Sequence, residues 1–133
     1  MAAKLRAVRA VKASVGTIAQ KLEIGPHVLI TDTGRDIGGE DLGPDPHELL
    51  DAALAACTAL TLTLYARRKG IELGALEVEV DHEEHGGVYR MRRDIRVTGA
   101  LTAEQRKRML EIANKCPVHR TLSGTFDIVS QLD

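Results

Sequence analysis

Between Asp45 and Gly70 the chain carries a helix signal strong enough to dictate what surrounds it. Asp45 can cap, Pro46 has the backbone angle suited to the first helical position, and Glu48 can complete a capping box. From Leu49 to Ala66 the residues are apolar or small on nearly every side. Arg67, Arg68 and Lys69 then suit a carboxyl-terminal dipole, and Gly70 supplies the stop. A helix over 46–69 measures roughly 36 Å. Apolarity all round means that it must be covered on all sides, which a small monomer does poorly; a partner subunit is the expected cover. The stretch approaches membrane-spanning length, yet it contains Asp51 and is mostly Ala and Thr, so a buried helix fits it better.

The elements on either side read more simply. Leu5 to Val11, Thr17 to Ile24 and His27 to Thr31 alternate or run apolar like strands, punctuated by Gly16 and by Gly25-Pro26. A glycine-rich loop, Gly34 to Gly43, lacks the spacing of a phosphate-binding motif. After the long helix, Leu76, Val78 and Val80 alternate with acids; beyond Gly86-Gly87, Tyr89, Met91, Ile95 and Val97 alternate mainly with arginines. This predicts a hairpin with one apolar face and cross-strand ion pairs on the other. Thr102 with Gln105 opens a second helix that runs to Lys115 and is ended by Pro117. Phe126 to Val129 reads as a final strand. The class is α+β with mostly antiparallel sheet, and the 133 residues suit one domain, 1–133.

Composition narrows the functional classes. A net charge of -1 with mixed signs, and aromatic residues at only 2%, give no basis for nucleic-acid binding. The start, Met1-Ala2-Ala3-Lys4-Leu5-Arg6, lacks the apolar core and cleavage site of a secretory signal, so a cytoplasmic protein with no membrane association is expected. In a reducing compartment two cysteines are more readily redox-active or metal-binding than a permanent bridge, and two are too few for a thiolate-only zinc site.

Those cysteines stand in contrasting contexts. Cys57 lies in the apolar helix, among Leu50, Ala53, Leu54, Leu60, Thr61 and Leu64, whereas Cys116 precedes Pro117, which turns a residue out of helical geometry. A sheltered thiol oxidised by a peroxide to sulfenic acid, and a second thiol able to condense with it, would form a reducible disulfide. The alternative is that Cys57 merely fills an alanine-rich interface. Cys57 is too deep in the helix for the amino-terminal dipole, so activation needs a cation from elsewhere: Lys21, Arg35, His119 and Arg120 are the candidates. Glu48 can position such a cation or simply cap; His47 is rotated toward the Cys57 stripe or is exposed. His82-Glu83-Glu84-His85 lacks the spacing of a zinc protease and is expected to be a solvated turn at the hairpin tip. Cys116 and His119 lack a second pair of metal ligands, and a cysteine hydrolase with His119 as base rests on residue types alone.

Gly43-Pro44-Asp45-Pro46-His47-Glu48-Leu49-Leu50 with Ala52 to Thr58, and Cys116-Pro117-Val118-His119-Arg120-Thr121-Leu122, resemble the OsmC/Ohr family of thiol peroxidases. The resemblance implies an intertwined homodimer in which sheets of both subunits wrap two long central helices. It implies Cys57 as peroxidatic cysteine, Cys116 as resolving cysteine, organic hydroperoxides or hydrogen peroxide as substrate, an external dithiol as reductant, and no metal or other cofactor. The chain departs from the organic-hydroperoxide branch, where an acid directly follows the helix-start proline; His47 stands there and Glu48 comes next. The early-strand arginine of the family has no counterpart between Thr17 and Ile24, and Arg35 and Arg120 are the substitutes. The competing expectation is the same dimer without efficient turnover, holding a small apolar ligand.

Overall fold

The fold comes from a computed structural model that describes residues 6–133. Leu5, where the sequence places the start of the first strand, lies outside the described residues. The chain divides into a first compact unit that ends at Leu50 and a second that begins at Asp51.

The first unit is an antiparallel meander of β1 (Val8–Lys12), β2 (Gln20–Ile24) and β3 (His27–Thr31), in that order. Lys12 faces Gln20, and Gln20 faces Thr31. β2 starts three residues later than the apolar alternation predicts, because the Ala13 N–H bonds the Ala19 carbonyl at 3.0 Å and closes the intervening residues into a loop. Gly16 sits in that loop at φ +72°, a conformation that glycine adopts without strain. After β3 the buried Asp32 organises the glycine-rich segment. Its carboxylate accepts from the N–H groups of Thr33 (2.8 Å), Glu40 (3.1 Å) and Leu42 (3.3 Å). These donors, Thr33 foremost, hold it below the ordinary carboxylate pKa of 3.8 against the opposing effect of burial.

Helix α1 (Pro46–Lys69) begins in the first unit and continues into the second. Its start is the predicted capping box: the Asp45 N–H donates to Glu48 Oε1 at 2.9 Å, and the Glu48 N–H donates to Asp45 Oδ1 at 2.8 Å. Its end is equally legible, with Gly70 at φ +67°. One stripe of the helix is buried, Asp51, Leu54, Thr58, Leu62 and Ala66. The spacing of three and four residues is that of a single helix face. Other apolar positions stay exposed, among them Leu50, Leu60 and Leu64. By length and composition alone α1 is apolar enough to cross a membrane, with 28% of the relevant stretch buried.

The second unit adds the hairpin β4 (Leu76–His85) and β5 (Val88–Val97), then α2 (Ala103–Ala113) and α3 (Pro117–Leu122). Gly86 and Gly87 both have positive φ, +58° and +79°, as a two-residue hairpin turn requires. Because the turn is only Gly-Gly, His82 to His85 belong to β4 and not to a solvated tip. The exposed face carries the expected ion pairs, Arg92 to Asp81 and Arg96 to Glu77 and Glu79. The inward face packs on α1 and α2: Leu62, Met109 and Ala113 are buried, and Tyr65, Leu76, Ile95, Val97, Leu101 and Ile112 close around them. Thr102 and Gln105 form the predicted capping box of α2.

Two expectations fail near the end of the chain. Pro117 does more than stop α2: it occupies the first position of α3, where its fixed φ and missing N–H are assets. Phe126 to Val129 form no strand. A strand needs a neighbouring edge for its backbone groups, and among the described residues none pairs with this segment; Phe126, Ile128 and Val129 are exposed.

Candidate active site around the two cysteines

Both cysteines are free thiols, and both sulfurs sit against the first turn of α3. Cys57, half-buried on α1, accepts from the Val118 N–H at 3.4 Å. Cys116, wholly buried, caps α3 with its own side chain by accepting from the His119 N–H at 3.3 Å. Residues fifty-nine positions apart therefore use consecutive donors of one helical turn. Proline at the first position makes this possible, since the second and third N–H groups of a helix have no intrahelical partner and point outward. Such donors serve a sulfur best when it carries negative charge.

A network of neutral and charged groups ties the two cysteine segments together. Thr58, next to Cys57 and wholly buried, donates its hydroxyl proton to the Leu54 carbonyl at 2.7 Å. The same oxygen accepts from Arg93 Nη1 at 3.0 Å and stands 3.9 Å from Cys116 Sγ. Arg93 Nη2 donates to Asn114 Oδ1 at 2.8 Å, two residues before Cys116. The cation that touches this neighbourhood is thus Arg93, which the sequence reading did not select. The clue was present: Arg93 falls on the inward phase of β5, in line with Tyr89, Met91, Ile95 and Val97. A guanidinium on the apolar face of a strand needs a reason.

His82 and Asp51 break the apolar pattern in the same way. Asp51 is 8% exposed and accepts from the Tyr89 hydroxyl at 2.8 Å, with His82 Nδ1 2.5 Å from its other oxygen. The His82 and Tyr89 rings stack with centroids 4.6 Å apart. Tyr89 in turn lines a pocket of about 240 Å³ with Leu54, Met91, Arg93, His119, Leu122 and Ser123. Burial, and then the charge of Arg93, hold the His119 imidazole below its ordinary pKa of 6.5. His119 is therefore mostly neutral near pH 7.

The remaining candidates are placed as follows. Arg120 is exposed on α3, and its N–H bonds the Cys116 carbonyl. Arg35 lies in the first unit on a short 3-10 turn, Arg35–Ile37, and lines an acidic pocket with Asp32, Asp36, Asp41 and Glu48. Lys21 pairs with Glu23 on β2 at 3.4 Å. Glu48 is engaged in the α1 cap. Among the described residues no group of three or more His, Cys, Asp or Glu side chains is arranged to hold a metal.

An α+β chain with a three-stranded meander, a long apolar helix and a hairpin, carrying two thiols that accept from the same helical turn, defines a dithiol protein. The chain belongs to the OsmC-like protein family, whose model matches residues 38–130. No curated protein matches it by sequence. Solved structures resemble it over nearly their whole length. One is an OsmC-like protein from Mycoplasma pneumoniae, 21% identical, with TM-score 0.75, covering 91% of this chain and 89% of that one. Another is an organic hydroperoxide resistance protein OsmC from Legionella pneumophila, 20% identical, with TM-score 0.69 and 93% of each chain covered. A third is the organic hydroperoxide resistance protein OhrB of Bacillus subtilis, 22% identical, with TM-score 0.61, covering 91% and 92%. At these identities the likeness is one of fold.

Proposed function

We propose that the protein is a thiol-dependent peroxidase that reduces organic hydroperoxides, with Cys57 as the reacting thiol and Cys116 as the resolving one. The observation that carries this reading is the shared turn of α3, which gives each sulfur its own backbone donor. The names of the Legionella and Bacillus neighbours, both organic hydroperoxide resistance proteins, agree with it.

The chemistry balances without a cofactor. The Cys57 thiolate attacks the distal peroxide oxygen, the O–O bond breaks, an alcohol leaves and Cys57 becomes a sulfenic acid. Cys116 then attacks that sulfur; the S–O bond breaks, and the oxygen departs as water with the Cys116 proton. An external dithiol reopens the disulfide by exchange, becoming oxidised itself. Leu50, Ala53, Leu60 and Leu64 flank Cys57 on α1 and give an apolar approach that favours organic over hydrogen peroxide.

The assembly belongs to the same proposal. The exposed apolar side of α1, with Leu60 at 65% and Leu64 at 51% exposure, together with exposed Phe126, Ile128 and Val129, suits a homodimer in which these surfaces meet. In it residues 1–133 act as one OsmC-like domain. A cytoplasmic setting fits the two free thiols.

Hydroperoxide consumption in the presence of excess dithiol tests the reading. Turnover of cumene or tert-butyl hydroperoxide that disappears in Cys57→Ser supports it. Binding of such ligands with no consumption would favour an apolar ligand-binding dimer instead.

A further inference from the structure

From the contacts of Arg93 we infer that its two-armed bond to Thr58 and Asn114 is a clamp that positions Cys116 for condensation with Cys57, and that it acts on this second step alone. The inference rests on Cys57 and Cys116 being the reacting pair.

The geometry is specific. Arg93 Nη1 reaches Thr58 Oγ1 on α1, and Nη2 reaches Asn114 Oδ1 at the carboxyl end of α2, at 3.0 and 2.8 Å. Thr58 follows Cys57 in sequence, and Asn114 precedes Cys116 by two residues, so one planar side chain spans the two cysteine segments. The Thr58 hydroxyl has its proton committed to Leu54, which leaves its oxygen as acceptor for Arg93 and as the polar neighbour of the Cys116 sulfur at 3.9 Å. A fork with fixed spacing between its nitrogens sets the separation of its two acceptors. Closing two thiols into a disulfide is an intramolecular reaction whose rate depends on that separation.

No described hydrogen bond runs from Arg93 to Cys57, whose sulfur meets the Val118 N–H at 3.4 Å and the Thr61 hydroxyl at 4.0 Å. Among the described residues no carboxylate forms an ion pair with Arg93 either, so its charge is not spent on a structural salt bridge. The reaction of Cys57 with an outside oxidant is thus left to the turn of α3, and the closing of the bridge to the clamp.

The test does not use peroxide. One equivalent of dithiobis-nitrobenzoate added to the reduced protein is attacked by half-buried Cys57, which releases one thionitrobenzoate and keeps the other as a mixed disulfide. Cys116 then attacks the Cys57 sulfur, forms the Cys57–Cys116 bridge and releases the second thionitrobenzoate and a proton. The two releases are followed by absorbance, and the product by intact mass. Asn114→Ala and Arg93→Met are expected to leave the first release within about twofold of wild type and to slow the second by roughly tenfold or more, the effect of losing a bond to a charged group. Asn114→Asp keeps an acceptor for the guanidinium and is expected to condense at the wild-type rate. A merely structural role of Asn114 at the helix end predicts the reverse, since an acid is unfavourable there.

Equal slowing of both releases, no slowing of either, or Asn114→Asp as slow as Asn114→Ala overturns the clamp. So does a wild-type protein that never gives the second release. A wild type that gives both releases yet leaves hydroperoxides intact removes the peroxidase reading while the clamp stands.

Discussion

Asp51 offers the sharpest test of how the polar exceptions inside the second unit are held. Its carboxylate is 8% exposed and takes the Tyr89 hydroxyl and the His82 ring, on diagonal positions of the hairpin. Asp51→Ala removes the acceptor that both groups share. Hydrogen bonds to a charged group contribute about 1.5–3 kcal/mol each, so the two sum to about 3–6 kcal/mol. The His82 side chain is 27% exposed and regains part of its share from water, which brings the expected loss to about 3–4 kcal/mol. For a domain of this size that is a fall in Tm of roughly 8–16 °C. Asp51→Asn keeps one acceptor and should lose about half as much. Urea unfolding followed by circular dichroism measures both, and a cycle with Tyr89→Phe should return a coupling of about 1–2 kcal/mol. Arg92→Ala, which breaks only an exposed pair with Asp81, should leave the midpoint unchanged. An Asp51→Ala protein within about 0.5 kcal/mol of wild type would refute the reasoning.

Other consequences are open to simpler assays. Leu62 is wholly buried against Met109 and Ala113, and Leu62→Ala should cost about 2–5 kcal/mol in urea unfolding; a loss below 1 kcal/mol would deny it a place in the core. A Cβ at Gly43 would stand 2.0 Å from the Ile30 carbonyl oxygen, so Gly43→Ala must displace backbone and should cost about 1–3 kcal/mol or more; an unchanged midpoint would contradict that approach. The pH dependence follows from His119 and Asp32, each held below its ordinary value in the folded state. The unfolded chain binds these protons more readily, so their stability is present above pH 6.5 and 3.8 respectively and is lost as pH falls below each value. Urea midpoints taken across that range should decline with acid, the first decline vanishing in His119→Gln; a midpoint that rises as the pH falls from about 7 to about 5 would contradict the sign.

Legibility in the sequence followed how local each signal was. The ends of α1, the capping box of α2 and the Gly86-Gly87 turn are each decided by neighbouring residues, and all are where the sequence places them. Pro117 misled because the same ring that ends one helix begins another, and only the return of the chain toward Cys57 distinguishes the two. Arg93, His82 and Asp51 were legible in phase but not in partner. Each sits where an apolar residue belongs, which flags it, yet what it meets lies on another element. Phe126 to Val129 alternate as a strand does, and that alternation says nothing about which edge will receive them.

The central claim is that two sulfurs held against one turn of α3 react with each other after a peroxide has oxidised the first. Intact mass after one equivalent of an organic hydroperoxide tests it most directly. The expected product is two hydrogens lighter than the reduced chain, absent in both single cysteine variants, with Cys116→Ser instead one oxygen heavier. A wild-type mass unchanged at excess hydroperoxide would contradict the account.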